Sequence, residues 1–229
     1  GDWSSDVCSS DLIEAQTRQC LDNVKAIVET AGLTLEHVVH MQLYLEKISD
    51  LAVVDRVYAA YFPQQPPART IIGTAKMPTD TTVEMTVVAV RDLKQKKVLS
   101  LKSLKPLGHA SSAVEAAGRV YLSAVYGATD NAAAQAFKNV LAEAKLSASN
   151  TVFRNDYATS ATAAIAMHEL PAQMKSGIWA VLTRKAPVKE ASCVVDGKTV
   201  RIPMNNGRGS VKFTGQAPAV DPKGWVLRN

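Results

Sequence analysis

The chain has few cysteines, few aromatic residues and no long apolar run. Three cysteines in 229 residues do not make a disulfide framework, which favours a reducing compartment such as the cytoplasm. No run approaches the length needed to span a bilayer, so we expect no membrane segment. Aromatic residues make up only 6% of the chain and no RNA-binding motif is present, which argues against a nucleic-acid partner.

Motifs for metal, cofactor and nucleophilic chemistry are missing as well. The histidines show no metal-ligand spacing, so we expect neither a metal nor another cofactor. There is no Ser-His-Asp pattern and no dinucleotide fingerprint. The glycines of Asn205–Ser210 could cradle a phosphate, but no helix follows them, and a hairpin turn is the better interpretation. Cys20 and Cys193 are expected to be small buried hydrophobes.

The chain is mildly basic, with a net charge of +5 and a pI near 9.1. This balance permits nucleic-acid binding without arguing for it. The segment 91–105 is rich in lysine and has little periodicity, which predicts a solvated basic linker at 93–106. An RNA-contacting arm is the alternative interpretation of the same segment.

The first twelve residues differ in character from the rest. Reverse translation of Trp3–Leu12 yields a string that resembles a widely used short-read sequencing adapter. We therefore expect residues 1–12 to be a translated library artefact fused to a truncated gene, and we exclude them from fold reasoning. The native N-terminus would then be missing, so that a signal peptide stays open and a further strand hairpin, or a whole domain, is expected upstream of Ile13.

The first half alternates between helix and strand patterns. Apolar spacing predicts a helix at Ile13–Ala31, a strand at Val38–Leu45, a helix at Leu51–Phe62, and strands at Ala68–Ala75 and Val83–Val90. Pro66 and Pro67 stop the second helix. A turn at Met77–Asp80 is expected to join the last two strands into a hairpin. This order predicts an α+β sandwich with its helices on one face of a sheet.

Two charged residues stand out on the last two of these strands. Arg69 lies at the start of one strand and Glu84 near the start of the other, each among apolar neighbours. A half-buried sheet does not hold such charges without a partner or a ligand. A structural ion pair is one interpretation. The other is an anion site, with Arg69 as a bidentate carboxylate clamp and Glu84 beside it as the group that handles a proton.

Several short stretches of the first half carry a family resemblance. They are Gln16–Val24, Ala31-Gly32, Val57–Phe62, Pro67-Ala68-Arg69 and Val83-Glu84. Together they resemble the Rid family, the reactive-intermediate deaminases that are also called the YjgF family. The resemblance implies a chorismate-mutase-like fold, in which a mixed sheet carries two helices on one face, and a trimeric assembly with clefts between subunits.

The resemblance also implies an activity, the hydrolytic deamination of 2-imino or 2-enamino acids to 2-oxo acids and ammonia. The family's arginine binds the substrate carboxylate and its late-strand glutamate helps a water attack the imine carbon; Arg69 and Glu84 match these positions. Asp55, Tyr58 and Ser123 are the further substrate-binding residues that we expect, although the family often has Asn where Asp55 stands. An imine is already electrophilic, so proximity and one proton carrier suffice without a metal.

The second half repeats the first. The helix predicted at Asn131–Leu146 repeats residues of the first helix 116 positions later, and the strand Thr151–Tyr157 repeats the first strand 113 positions later. Gly118–Ala124 resembles the strand that precedes the first helix in the family. The chain is therefore expected to contain two tandem chorismate-mutase-like (Rid-type) domains, 13–92 and 107–229, of which the first lacks its N-terminal hairpin.

The second copy has lost the site pattern. It has no Pro-Ala-Arg, and Lys212, in a strand predicted at Ser210–Gly215, takes the place of Glu84. His109-Ala110 stands where the family usually has a tyrosine. Arg201 as a substitute for the missing arginine is the weaker possibility. We expect the second copy to be a structural partner that completes the intersubunit cleft.

Three functions follow from these observations. The first is deamination at Arg69 and Glu84. The second is a non-catalytic protein that binds a small anion or acts as a scaffold, and the third is RNA binding or endoribonuclease-like cleavage. The expected partners are a small 2-imino acid and further copies of the chain, in a homo-oligomer or an intramolecular pseudo-trimer, with neither a membrane nor a nucleic acid.

Overall fold

The computed structural model describes residues 9–74, 77, 81–158, 170–171, 174–184, 190–195, 198–205 and 208–209. The chain divides into two compact units, 1–186 and 187–229. The helices are α1 (Ser9–Thr30), α2 (Leu51–Tyr61) and α3 (Asp130–Glu143). The strands are β1 (Val38–Leu45), β2 (Ala68–Gly73), β3 (Val83–Ala89), β4 (Lys97–Leu99), β5 (Ala113–Ala116), β6 (Arg119–Leu122), β7 (Val125–Gly127), β8 (Thr151–Ala158), β9 (Ser176–Thr183), β10 (Glu190–Val195), β11 (Lys198–Asn205) and β12 (Arg208–Gly209). Among the described residues, no helix combines the length and apolar content that a bilayer crossing requires.

The first lobe, residues 9–89, is a mixed three-stranded sheet with two helices on one face, as predicted. β1 is the central strand, with β2 parallel and β3 antiparallel to it. α1 and α2 bury their apolar stripes against this sheet, in a core that includes Leu21, Met41 and Tyr58. α1 begins at Ser9, before the predicted start at Ile13, whose side chain is buried.

The predicted hairpin between β2 and β3 is wrong, because the two strands lie on opposite sides of β1. α2 carries the chain across to a parallel neighbour of β1, so β2 takes one edge and β3 returns along the other. Alternation of apolar residues indicates that a segment is a strand but not which strand lies beside it. Residues 78–80 of the predicted turn lie outside the described residues.

The second lobe, residues 97–184, is a six-stranded sheet in the order β4-β5-β6-β9-β7, in which β8 also pairs with β9 and α3 packs on one face. Its first part corrects the prediction of a solvated linker. β4 pairs with β5, and Leu101 and Leu104 are buried in the core of the lobe. The Glu143 carboxylate accepts hydrogen bonds from the backbone N–H groups of Lys102 and Ser103, which holds this turn against α3.

The two lobes pack sheet against sheet, each with its helices on the outer face. The apolar residues between them are Val39, Ala68 and Val90 from the first lobe and its C-terminal end, with Val114, Ala116, Tyr121 and Val181 from the second lobe. Beside them the His40 ring stacks on Trp179, with centroids 4.7 Å apart, and its Nε2 lies 3.2 Å from Thr70 Oγ1. Burial lowers the pKa of His40 to about 3, so the ring is neutral at this interface.

Local details recur in the two lobes. The Gln19 side-chain amide donates to Asn23 at 2.9 Å, and that of Gln135 donates to Asn139 at 3.1 Å. β1 and β8 both have eight residues, follow a short 3-10 turn, and contain a bulge after their first residue. The two strands begin 113 positions apart, at residues 38 and 151, which is the offset predicted from the sequence.

The second unit contains the antiparallel pair β10 and β11, followed by β12. Asn205 pairs with Arg208 across the last two strands, which confirms the hairpin turn predicted there. Cys193 lies in β10, a strand as predicted. The strand predicted at Ser210–Gly215 lies outside the described residues.

Acidification should destabilise the first unit through His40. The folded-state pKa is about 3, whereas an unfolded histidine titrates near 6.5, so between these values the unfolded chain binds the proton more tightly. The contribution of His40 to the free energy of unfolding is therefore fully present above the pKa of the unfolded chain. Below that pKa it falls by up to about 1.4 kcal/mol per pH unit.

Unfolding in guanidinium chloride, followed by tryptophan fluorescence at several pH values, measures this loss of unfolding free energy. His40→Gln should flatten the pH dependence between the two pKa values, whereas His37→Gln, at a partly exposed site, should leave it unchanged. An equal slope in the wild type and His40→Gln would contradict the assignment.

Candidate functional site

Arg69 is the second residue of β2, and its side chain is fully buried on the helix face of the first sheet. Asp55 and Tyr58 lie three residues apart on α2 and face this strand together. Arg69 Cζ lies over the Tyr58 ring, 4.6 Å from its centroid, and Asp55 Oδ1 lies 2.6 Å from Arg69 Nη2. The arginine is thus held by an internal ion pair and a cation–π contact.

A segment at the start of the second lobe closes over this pair. The Leu107 carbonyl accepts a hydrogen bond from Arg69 Nη2 at 2.9 Å, and the His109 backbone N–H donates to Asp55 Oδ2 at 3.0 Å. Gly108, between them, has a φ of +62°, and a Cβ there would overlap Asp55 Oδ2 and crowd Arg69 Nη2. Backbone conformation and space both require glycine at this position.

Other polar atoms around the guanidinium lack partners. Within the described part of the chain, Arg69 Nε, Arg69 Nη1 and the Tyr58 hydroxyl are buried without a hydrogen bond. Burial raises the pKa of Tyr58, so its hydroxyl keeps its proton. Each buried polar group without a partner costs on the order of 1–3 kcal/mol, so the cluster favours a bound acceptor such as a ligand oxygen or a water.

The outer edge of β2 is completed by the second lobe. Ser123 Oγ accepts from the Arg69 backbone N–H at 2.8 Å and donates to the Ser111 carbonyl at 2.6 Å. The Tyr126 hydroxyl accepts from the Ile71 N–H and donates to the Ile71 carbonyl, both at 2.8 Å. The expected site residue Ser123 therefore lies beside Arg69, together with Asp55 and Tyr58.

Glu84 does not join this cluster. Side chains alternate along a strand, and Val83 and Met85 are buried under the helices, so Glu84 lies exposed on the opposite face. Glu84 pairs with Tyr44 of β1, whereas Arg69 pairs with Met41, three residues earlier on the same strand. At standard strand spacings, the Cα atoms of Arg69 and Glu84 are therefore about 14 Å apart. Contrary to the sequence expectation, one chain does not place this carboxylate beside its arginine.

The second lobe has a glycine where the first lobe has Glu84. β8 and β9 pair as β1 and β3 do, so that Tyr157 lies opposite Gly177 as Tyr44 lies opposite Glu84. Gly177 also pairs with Tyr126, and a Cβ at Gly177 would lie 3.0 Å from the Tyr126 ring. A side chain at position 177 would therefore meet the ring of the tyrosine that reaches β2.

Lys212 lies outside the described residues, so its place in the second copy stays a prediction. In the second lobe, β9 pairs with β8 as β3 pairs with β1, and β9 ends at Thr183. Arg201 lies in β11, in the second unit. The segment 159–175, between β8 and β9, contains no arginine. Its length is less than half that of the segment 46–82, which contains α2 and β2 in the first lobe.

Sequence reasoning missed Gly108 and Tyr126. A glycine ahead of a predicted strand indicates a turn, but nothing local shows that this turn covers an ion pair. Tyr126 lies just beyond the predicted strand Gly118–Ala124, and its hydrogen bonds join residues 55 positions apart. Only the packing of the two lobes brings them together.

A cavity of about 580 Å³ lies elsewhere, between β4 and the C-terminal end of α3. Its charged lining includes Lys97, Glu115, Glu143 and Arg184. Arg184 Nε pairs with Glu115 at 3.0 Å and its Nη1 donates to the Ala144 carbonyl at 2.8 Å. Much of this charge is therefore already satisfied within the lobe.

Comparison with known proteins concerns the first lobe. Residues 2–91 match the family described as Endoribonuclease L-PSP. A RutC family protein of Pyrococcus horikoshii is 39% identical over 80 residues, which cover 35% of this chain and 64% of that protein. The 2-iminobutanoate/2-iminopropanoate deaminase of Escherichia coli K12 is 40% identical over 82 residues, which cover 34% of this chain and 64% of that protein.

Among solved structures, the YjgF gene product of E. coli is 40% identical to this chain. The match covers 35% of this chain and 65% of that protein, with a TM-score of 0.34. The chain thus spans less than two thirds of the length of each of these relatives. Its fold and site define an α+β protein with a buried arginine where two sheets meet. Residues 2–91 match the endoribonuclease L-PSP family model, and the relatives that they resemble are of the Rid/YjgF group to which the sequence analysis pointed.

Removing the Tyr126 hydroxyl should loosen the contact between the lobes. Tyr126→Phe leaves both backbone groups of Ile71 without this partner, which should lower the free energy of unfolding by about 1–3 kcal/mol. Tyr61→Phe is the matched control, because its bond to Asp22 is solvent-exposed and water replaces it. Urea unfolding compares the two, and an equal loss in both variants would refute the role of Tyr126.

Proposed function

We propose that the cleft at Arg69 binds the carboxylate of a small 2-oxo or 2-imino acid without hydrolysing it. One observation carries this proposal: the Arg69 guanidinium is buried with two nitrogens unpartnered among the described residues, while Glu84 lies exposed on the other face of the sheet. Such a site can hold an acid anion, and the carboxylate described beside it, Asp55, is already bound to Arg69 and to the His109 N–H.

The binding chemistry follows from the guanidinium. It is planar and permanently charged, and Nε and Nη1 have no acceptors among the described residues. The protonated Tyr58 hydroxyl is a further donor beside it. In surroundings without water, charge-assisted hydrogen bonds are stronger than neutral ones, so this donor set favours a small carboxylate over a neutral or cationic ligand.

Hydrolysis needs a carboxylate that is free to carry protons, and Asp55 is held in its ion pair with Arg69. Attack of water on an imine requires a group within hydrogen-bond reach that accepts and returns protons. Glu84 lies on the opposite face of the sheet, about 14 Å away by strand geometry. The Tyr126 ring lies against Gly177, at the place that a second glutamate would need.

Hydrolytic deamination of 2-imino or 2-enamino acids is the second candidate. The name of the E. coli relative, 40% identical over 82 residues, favours it, as does the presence of both Arg69 and Glu84. It requires Glu84 to reach the arginine of another copy of the chain. The second lobe, which covers the edge of β2, would have to leave Arg69 for that to happen.

The architecture supports a related proposal, that the two lobes are tandem Rid-type repeats. The shared bulge, the shared Gln–Asn bond on the first helix of each lobe and the constant strand offset support it. The second lobe then serves as the structural neighbour that completes the cleft of the first. Association with further copies of the chain would complete a trimer-like arrangement.

Titration calorimetry with pyruvate, a 2-oxo acid, tests the anion site. Arg69→Lys keeps the charge but loses the planar fork, so pyruvate binding should weaken at least about tenfold. Arg56→Lys is the matched control, because Arg56 lies on the same helix as Asp55 with an exposed side chain, and it should bind like the wild type. Equal affinity in all three proteins would refute the site.

A coupled assay separates the two candidates. An amino-acid oxidase generates 2-iminopropanoate from alanine, and ammonia release is followed with and without the protein. We expect no acceleration over the oxidase alone. Acceleration that is lost in Glu84→Gln would establish the deaminase instead.

A further inference from the structure

We infer that Asp55 is an internal competitor for the anion site, whose carboxylate occupies Arg69 in the resting chain and must be displaced by an incoming acid. The inference rests on the proposed function, because it concerns the control of the same cleft. Asp55 and the segment Leu107–His109 together form what we call the latch.

The exposure of the two partners indicates the direction of approach. The Arg69 side chain has no exposed surface, whereas 21% of the Asp55 side chain is exposed. Solvent therefore reaches the ion pair from the side of Asp55. An acid that enters from this side meets the latch before it meets the guanidinium.

Guanidinium geometry makes the competition direct. A bidentate contact with a carboxylate uses either Nε with Nη2 or Nη1 with Nη2, so both arrangements need Nη2. Asp55 Oδ1 lies 2.6 Å from Nη2, and the Leu107 carbonyl accepts from it at 2.9 Å. The two unpartnered nitrogens do not share an edge of the group, so a bidentate ligand has to release Nη2 first.

The exchange replaces one carboxylate by another on the same cation. Loss of the Asp55 ion pair offsets much of what the ligand gains, so the resting chain binds acids weakly. The His109 N–H holds Asp55 Oδ2, and His109 Nε2 lies 2.6 Å from the Phe62 carbonyl, which fixes the segment to the end of α2. The affinity of the cleft is set by how firmly this segment stays in place.

Asp55→Asn tests the latch by removing its negative charge while keeping its shape and its acceptor for the His109 N–H. Pyruvate should bind at least about tenfold more tightly to this variant than to the wild type, since no carboxylate competes for Nη2. Asp50→Asn is the matched control. It makes the same change of charge at the start of α2, where the side chain forms no cap, and pyruvate affinity should not change.

Gly108→Ala tests the same latch without altering a charge. The added Cβ would overlap Asp55 Oδ2 at a backbone angle that disfavours alanine, so the segment has to move. Pyruvate should again bind more tightly than to the wild type. A cooperative thermal unfolding transition shows which variants are folded. One substitution removes a charge and the other displaces the backbone, so either variant alone tests the latch if the other does not fold.

The outcomes separate the two proposals. Tighter binding in the latch variants, lost when Arg69→Lys is added, supports the latch. Equal affinity in the wild type and the latch variants, with Arg69→Lys alone still weaker, overturns the latch and leaves the anion site standing. No pyruvate binding in any of the proteins overturns the anion site and the latch with it.

Discussion

A single buried cation at the junction of two sheets governs the arrangement of the first unit. The Arg69 side chain has no exposed surface, so its charge has to be met inside the protein. Asp55 and Tyr58 of α2 meet it from one side and the Leu107 carbonyl from the other. These groups come from both lobes, so the arginine ties a helix, a strand edge and the start of the second lobe together.

The two-residue period of strands decides what this cation can do. Arg69 lies on the helix face of the sheet, whereas Glu84 lies on the face away from the helices. In the second lobe, β8 and β9 pair as β1 and β3 do, so that Gly177 lies opposite Tyr157 as Glu84 lies opposite Tyr44, and Gly177 also pairs with Tyr126. The Arg69 guanidinium and the Glu84 carboxylate are therefore separated in space within one chain, although the two residues lie only fifteen positions apart in the sequence.

Local pattern predicted the helices and strands of the first lobe, because helix and strand periods are local properties. It also singled out Arg69, and the family resemblance added Asp55, Tyr58 and Ser123; the structure gathers these four residues at one place. It failed where neighbours mattered. The predicted hairpin was wrong because an alternating pattern does not show which strands are neighbours in the sheet. The predicted solvated linker was wrong because the lysines drew attention away from Leu101 and Leu104, which are buried in the core.

The sequence by itself determined which segments of the first lobe are helices and strands, and that a permanent charge stands at the start of a buried strand. Only the tertiary structure decided what that charge contacts. Asp55 rather than Glu84 faces Arg69, and Gly108 and Tyr126 close the site, because strand order and lobe packing bring together residues that no local spacing relates. Ion pairs and hydrogen bonds act over a few ångströms, and those distances exist only once the chain is folded.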